Sequence, residues 1–361
     1  MKPISCILMA GWLLFTASPA TAAPKNKILR ETDKEFFTTE EARRIGDQLL
    51  LYQRVTGGWA KNIDMVRPLL QEEIDSLIIE KQRRDDSTID NNATVMQMSY
   101  LARLYQATDD SRYKESFSKG LDYLLSGQYE NGGWPQFWPG PTGYQVHITF
   151  NDYAITNTLN LFNDILSGEY PYNGSLVEAT TAEKLKTSFA KGIECILLTQ
   201  IVVDGKPTVW CQQHDRETYL PAGARTYELP SFCSQESAAI VKLLMNLPSP
   251  DERIKASVNG AMEWFAANKL TGLRLERRGT HGTDDYNTVL VEDPEAGPLW
   301  ARFYDLEKCE PYVCDRDGIP RKSLEEIGRE RRNGYSWYNS YPAELEPLYE
   351  EWKEKNQNDS L

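Results

Sequence analysis

The chain has 361 residues, 40% of them hydrophobic, with 9 Trp and 19 Tyr, enough to bury the core of one large domain or two small ones. A formal net charge of −13 and the lack of any basic stripe argue against nucleic acid or an anionic membrane surface as a partner. A site for an anion in such a chain has to be built from a few placed cations.

Residues 1–23 read as a signal peptide, with Lys2 ahead of the 12-residue apolar run Ile4–Phe15 and small residues at Ala20, Ala22 and Ala23. The run is too short to span a membrane, and no later stretch is apolar enough. The mature chain, a single domain over 24–361, is expected to be monomeric and either secreted or periplasmic. Cys6 leaves with the leader, so five cysteines remain: Cys195, Cys211, Cys233, Cys309 and Cys314. The spacing CEPYVC would let Cys309 and Cys314 bridge a loop in an oxidising compartment, and the odd count leaves at least one thiol free.

The periodic segments that follow are helical. Residues 38–53 open with a Thr38/Glu41 capping box and carry Ile45, Leu49 and Tyr52 on one face. Helices are also expected over 69–82, 92–108, 111–127, 151–168, 182–200, 234–247 and 251–268, with Pro248 and Pro250 separating the last two. Strand signals are few and short. A late helix is expected near 323–332, and the polar tail 352–361 reads as frayed. GGWAKN (57–62) and GGWPQF (132–137) each follow a helical segment, 75 residues apart. Together these features predict an all-α fold, an (α/α) toroid-like barrel of antiparallel helix pairs with its long loops on one rim.

Phosphate-binding loops, dinucleotide fingerprints and nucleophile elbows are absent. His147, His214 and His281 lie far apart and show no zinc spacing. What remains is oxygen ligands and cations. TIDNNAT (88–94) and HITFNDYA (147–154) place Asp90, Asn91 and Asn92, and then Asn151 and Asp152, at helix starts. Capping is the ordinary use of such residues; two such starts brought together would offer hard oxygens suited to calcium. The cations are Arg225, held between Pro221 and Pro230 in PAGARTYELPS, Arg302 in PLWARFYDL, Arg316 in CDRDG and Lys61 in GGWAKN. Arg302 could pair with Asp305, and Arg316 with Asp315 or Asp317. Trp59, Trp134, Phe137 and Trp138 could stack on sugar faces, although core packing is the commoner use of a Trp. Acids for calcium, cations for carboxylates and aromatics for rings point to an acidic polysaccharide.

TIDNNAT, HITFNDYA, VWCQQHD (209–215), PAGARTYELPS, PLWARFY and RRNGYSWY (331–338) resemble, in the same order, the catalytic module of pectate lyases of polysaccharide lyase family 10. The resemblance implies an (α/α) toroid and calcium-dependent β-elimination on polygalacturonate. It implies Asp152 as a calcium ligand, Asp90 at the metal and substrate site, and Arg225 as the base that removes the C5 proton. Arg302 and Arg316 would bind galacturonate carboxylates, with Lys61, Asn91, His147 and Asn151 as neighbours. GGWAKN departs from the family pattern at Ala60, where proline is expected.

Free arginine holds its proton above about pH 12. Crowding by calcium, Arg302, Arg316 and burial is expected to lower the pKa of Arg225, and an alkaline activity optimum follows. Two other readings suit the same residues. One is an inverting glycoside hydrolase with Asp90 and Asp152 as acid and base about 6.5–9.5 Å apart; the other is a polyuronate-binding protein without catalysis.

Overall fold

The computed structural model describes residues 26–358, so the expected signal peptide lies outside the described residues. Ten helices form among them: α1 (Glu40–Tyr52), α2 (Gln71–Glu80), α3 (Val95–Thr108), α4 (Ser111–Gly127), α5 (Ala154–Ser167), α6 (Ala179–Thr199), α7 (Ser234–Met245), α8 (Glu252–Ala267), α9 (Arg329–Gly334) and α10 (Leu345–Asn358). The α1 cap sits one residue later than expected. Thr39, not Thr38, accepts from the Ala42 amide, while the Thr38 hydroxyl donates back to the Glu35 carbonyl. Of the tail expected to fray, residues 352–358 instead continue the helix α10, with Trp352 buried, and 359–361 lie outside the described residues.

Eight of the helices stand in two rows. α1, α4, α6 and α8 pack side by side, as do α5, α7 and their neighbours α3 and α10, and α3–α4, α5–α6 and α7–α8 are antiparallel pairs across the rows. The rows do not close into a barrel, so the expected ring is an open double layer among the described residues. Nor is the fold purely helical. Short strands tie the loops together, and one hairpin, Leu273–Arg278 with Asn287–Glu292, projects from the long connection between α8 and α9.

The chain runs repeatedly from a first-row helix, through a long loop, to a second-row helix, so every long loop lies at the same end. The repeat hinted at by Gly-Gly-Trp is deeper than the sequence suggests. The indole nitrogens of Trp59, Trp134, Trp210 and Trp300 donate to the carbonyls of Leu49, Leu124, Ile196 and Phe265, each near the end of the preceding first-row helix. Gln53, Gln128 and Gln200, just past the ends of α1, α4 and α6, each donate to a carbonyl of their own loop and to one in the next first-row helix: Ser116, Ser188 and Ser257. These buried amides clamp the loops to both helices. Gly57 and Gly132 have φ of +94° and +88°, and a Cβ at either would strike the carbonyl oxygen of Lys119 or Lys191. Only glycine fits such a turn at that approach. Trp59 and Trp134 are therefore buried pegs of the core, not sugar platforms.

Candidate active site

The loop end gathers the starts of the second-row helices. Before α3 the chain turns at Asp90–Asn92, and before α5 at Asn151–Tyr153; the two turns touch. Both pass through left-handed backbone: Asn91 (φ 52°), Asn92 (61°) and Thr94 (67°) in one, Asp152 (49°) and Tyr153 (64°) in the other. Such conformations in residues other than glycine cost of order 1 kcal/mol or more and persist where surroundings enforce them. Neither carboxylate caps its helix. The residues preceding α3 and α5 are Thr94 and Tyr153, and neither makes a side-chain cap bond. Freed from capping, the two carboxylates are near enough for the charge of Asp90 to be felt at Asp152.

Asp90 is buried at 1% exposure. Its Oδ2 pairs with the Lys61 ammonium and accepts from Gln136 Nε2 at 2.8 Å, while Oδ1 accepts from the Asn91 amide at 3.0 Å. Lys61 also lies 5.4 Å from the Phe137 ring centre. Ala60, the departure from the family pattern, is held by a backbone bridge to Ser87, so the turn is braced without proline. Asn91 faces outward and donates weakly to Asn62 at 3.3 Å.

Asp152 is different. Its side chain is 32% exposed, and its nearest polar neighbours are distant: Asn151 Nδ2 at 3.4 Å and Arg302 Nη2 at 3.7 Å. Burial first, then the charges of Asp90 and Glu236, push its pKa up to about 6 against the pull of Arg302 and Arg225. Glu236, in the first turn of α7, is the third acid of the group and is fully buried. It pairs with Arg302 and accepts from the Cys233 thiol. Three carboxylates thus face two cations, Lys61 and Arg302, and Asp152 is left under-neutralised.

Arg302 is 3% exposed and does not pair with Asp305, whose carboxylate instead caps the amides of Glu307, Lys308 and Glu310. It donates to Asn151 Oδ1 at 3.2 Å as well as to Glu236, and Gln212, turned so that its amide is satisfied, accepts from Arg302 Nε at 3.2 Å. Its guanidinium lies 4.7 Å from the Tyr335 ring centre. Burial presses the Arg302 pKa down, but Glu236 and its neighbours outweigh that and hold it protonated.

Across Tyr335 stand the other arginines. The Arg225 guanidinium lies 5.8 Å from the Tyr335 ring and 4.9 Å from Tyr227. Arg316 and Arg331 flank the same Tyr227 ring at 5.9 and 4.6 Å. Arg316 engages neither Asp315 nor Asp317 through its side chain; with Arg331 it shares Glu330. Arg316 is exposed enough to meet a ligand, whereas Arg331 is buried.

Arg225 has a buried carboxylate partner. Glu228, 3% exposed, takes Arg225 Nε on Oε2 at 2.7 Å and Nη2 on Oε1 at 2.5 Å, and Oε1 also accepts from the Tyr335 hydroxyl at 2.8 Å. Burial lowers the Arg225 pKa, as expected, but the hydrogen bonds and charge of Glu228 outweigh it, and the net shift is upward. The expected net depression is therefore reversed in the substrate-free protein. His147 stands at the edge of the group, its Nδ1 3.8 Å from Asp215 and without a hydrogen bond. Phe137 and Trp138 are half-buried. The five described cysteines are free: the Cys309 thiol donates to Asn268 Oδ1 and Cys314 to the Asp315 carbonyl.

The structure therefore brings together Asp90, Asp152, Asn151, Lys61 and Arg302, and joins Arg225 to them through Tyr335. Glu236 was hidden because an acid in a first turn reads as a helix-dipole partner. Glu228 was legible in one respect: it stands three residues after Arg225 inside a turn closed by the Glu228 amide on the Arg225 carbonyl.

This arrangement on a helical double layer is that of a polysaccharide lyase. A family 10 polysaccharide lyase from Cellvibrio cellulosa superposes with a TM-score of 0.76 at 29% identity, covering 89% of this chain and 95% of that one. A mutant of family 10 polysaccharide lyase from the same organism, in complex with trigalacturonic acid, superposes with a TM-score of 0.75 at 28% identity over 92% and 99% of the two chains. No curated protein sequence matches. The chain belongs to the pectic acid lyase family, whose profile matches residues 53–346.

Proposed function

We propose that the protein is an exported, monomeric pectate lyase that cleaves α-1,4-polygalacturonate by calcium-assisted β-elimination, its double row of helices being an open form of the (α/α) toroid. The observation that carries the reading is the junction at Tyr335. Its ring centre lies 4.7 Å from the guanidinium of Arg302, which anchors the acid group, and 5.8 Å from that of Arg225, whose charge is felt at Asp152. A uronate carboxylate entering there meets fixed cations on one side and an under-neutralised carboxylate on the other.

Elimination requires the C5 proton to become acidic although the adjacent carboxylate is already an anion. Cations at that carboxylate stabilise the enolate-like transition state. Among the described residues no group of three or more Cys, His, Asp or Glu side chains is arranged as a metal cage. The donors nevertheless fit a hard cation shared with the substrate. Asp152 has accessible lone pairs and excess negative charge around it, which is the chemistry calcium favours. When bound, calcium would neutralise the substrate carboxylate and acidify C5. Asp152 would hold it, and Asp90, sealed by Lys61 and Gln136, adds charge from behind rather than acting as a free ligand.

The chain's own residues do the rest. Arg316, Arg302 and Lys61 set the electrostatic field that orients the uronate. Arg225, deprotonated at alkaline pH, takes the C5 proton; the electron pair forms the C4=C5 double bond as the C4–O bond breaks, and the departing oxygen is protonated by water. Because Glu228 raises the Arg225 pKa, it sets how alkaline the optimum must be. A hydrolase using Asp90 as acid or base is disfavoured by the burial of Asp90.

The test is to incubate the protein with polygalacturonate with and without a calcium chelator and follow both ultraviolet absorbance and reducing ends. A chelator-sensitive rise in absorbance from the unsaturated product is expected. Reducing ends without absorbance would mean hydrolysis, and neither signal would mean binding without catalysis.

A further inference from the structure

The hairpin Leu273–Arg278/Asn287–Glu292 and α9 border a cavity of about 410 Å³ that Tyr335 also lines. That is within the ~300–1,000 Å³ range of small-ligand sites. The hairpin is pinned in place to form it. Asn333 donates to the Tyr286 carbonyl at 2.8 Å and accepts from the Thr288 amide at 2.7 Å, and Arg329 Nη2 donates to the Thr283 carbonyl at 2.7 Å.

The lining carries Arg277, Arg332 and His281 but no Asp or Glu. Arg277 makes no ion pair or side-chain hydrogen bond among the described residues. Arg332 has only a long contact from Nη1 to the Leu324 carbonyl at 3.4 Å, and its Nε is buried without a partner. Most arginines elsewhere in this acidic chain are matched, as Arg274 and Arg278 are by Glu276 on the opposite face of the same strand. Both arginines line one pinned cavity; the buried Arg332 Nε is a donor awaiting an acceptor, since an unpaired buried donor is costly, and the exposed Arg277 adds a second cation at the rim. Tyr335 is a wall of this cavity and its ring lies beside Arg302 and Arg225 in the catalytic site, so one chain of sugars could reach both.

We propose that this cavity is a second carboxylate-binding site, which takes a further uronate of the same polysaccharide whose cleaved unit lies at Arg225. The proposal rests on the polyuronate reading above. It makes the enzyme prefer long chains. The distal uronate contributes binding that is equal in ground and transition states, so its loss raises KM and leaves kcat in place.

The test uses the full chain with Arg277→Ala, Arg332→Ala and both together; exposed Arg277 is a substitution that leaves the core intact. Two readouts are taken: kcat and KM on polygalacturonate and on trigalacturonate by ultraviolet absorbance, and retardation in gels containing polygalacturonate. The double variant is expected to raise KM for polygalacturonate about 10-fold or more, the worth of losing charge-assisted hydrogen bonds. Trigalacturonate kinetics should stay within about twofold, gel retardation should fall, and Arg277→Lys should restore part of it. Unchanged KM and retardation would overturn the proposal, as would an equal fall in kcat on both substrates. If the unaltered enzyme makes no unsaturated product, the lyase reading fails, yet loss of retardation in the double variant still supports the site.

Discussion

The acid side of the site and the arginine side are built on opposite principles. Asp90, Asp152 and Glu236 stand at the starts of three successive second-row helices, so the internal repeat of the fold brings them together. Arg225, Arg302 and Arg316 come from loops, which have no periodicity to fix them; the rings of Tyr227 and Tyr335 act as their scaffold. The acids are crowded beyond their neutralisation, whereas each of these arginines has a carboxylate partner, Arg316 sharing Glu330 with Arg331. In the proposed reaction the acid side gains a cation, and the arginine side exchanges an internal carboxylate for that of a substrate.

Breaking the arginine side should have the largest effect. Arg225→Ala is expected to lower kcat by about 10²–10⁴-fold, the usual worth of a proton-transfer group, and to lower the melting temperature, because the buried Glu228 loses its cation. Arg225→Lys should keep a little activity. A fully active Ala variant would remove Arg225 from the chemistry.

The acid side should respond in the opposite sense for stability. Asp152 ionises at about pH 6 in the folded protein, above the ordinary carboxylate value near 4. The neutral form is therefore favoured by folding: the contribution of Asp152 to stability is fully present below about pH 4 and is lost as pH rises through about 6. In chelator at about pH 8, Asp152→Asn should stabilise the protein by roughly 1–2 kcal/mol, allowing for partial solvent screening, while activity collapses. Calcium should raise the melting temperature of the unaltered protein and not that of the variant. Equal melting curves with and without calcium for both proteins would contradict this account.

The clamps beneath both sides are purely structural. Gln128→Ala strips hydrogen bonds from the Gly132 and Ser188 carbonyls, and should cost roughly 1–3 kcal/mol with kcat nearly unchanged. A large drop in kcat at full stability would show that the clamp also tunes the site.

The sequence was most legible where periodicity speaks. The segment 111–127 coincides with α4, and the long helices α3 and α5 to α8 were anticipated to within three residues at either end. The signal for α10 was present too, in Leu345, Leu348, Tyr349 and Trp352 at helical spacing, but the polar residues around them masked it. The hairpin was missed because its alternating residues are mostly charged, as in LRLERR. Within the site, TIDNNAT and HITFNDYA marked the acids, yet only the left-handed turns show why they do not cap. Partners supplied from distant loops, such as Glu236 for Arg302 and Tyr335 for Glu228, have no local signature.

In the proposed reaction Arg225 acts as the base under the control of Glu228. The most direct measurement is the pH dependence of kcat/KM on polygalacturonate, at fixed calcium, for the unaltered enzyme and Glu228→Gln. Removing the Glu228 charge should move the alkaline rise toward neutral pH by about one unit or more, whatever it does to the maximum rate. An unshifted rise would contradict the account, because the group that titrates would not be the one Glu228 holds.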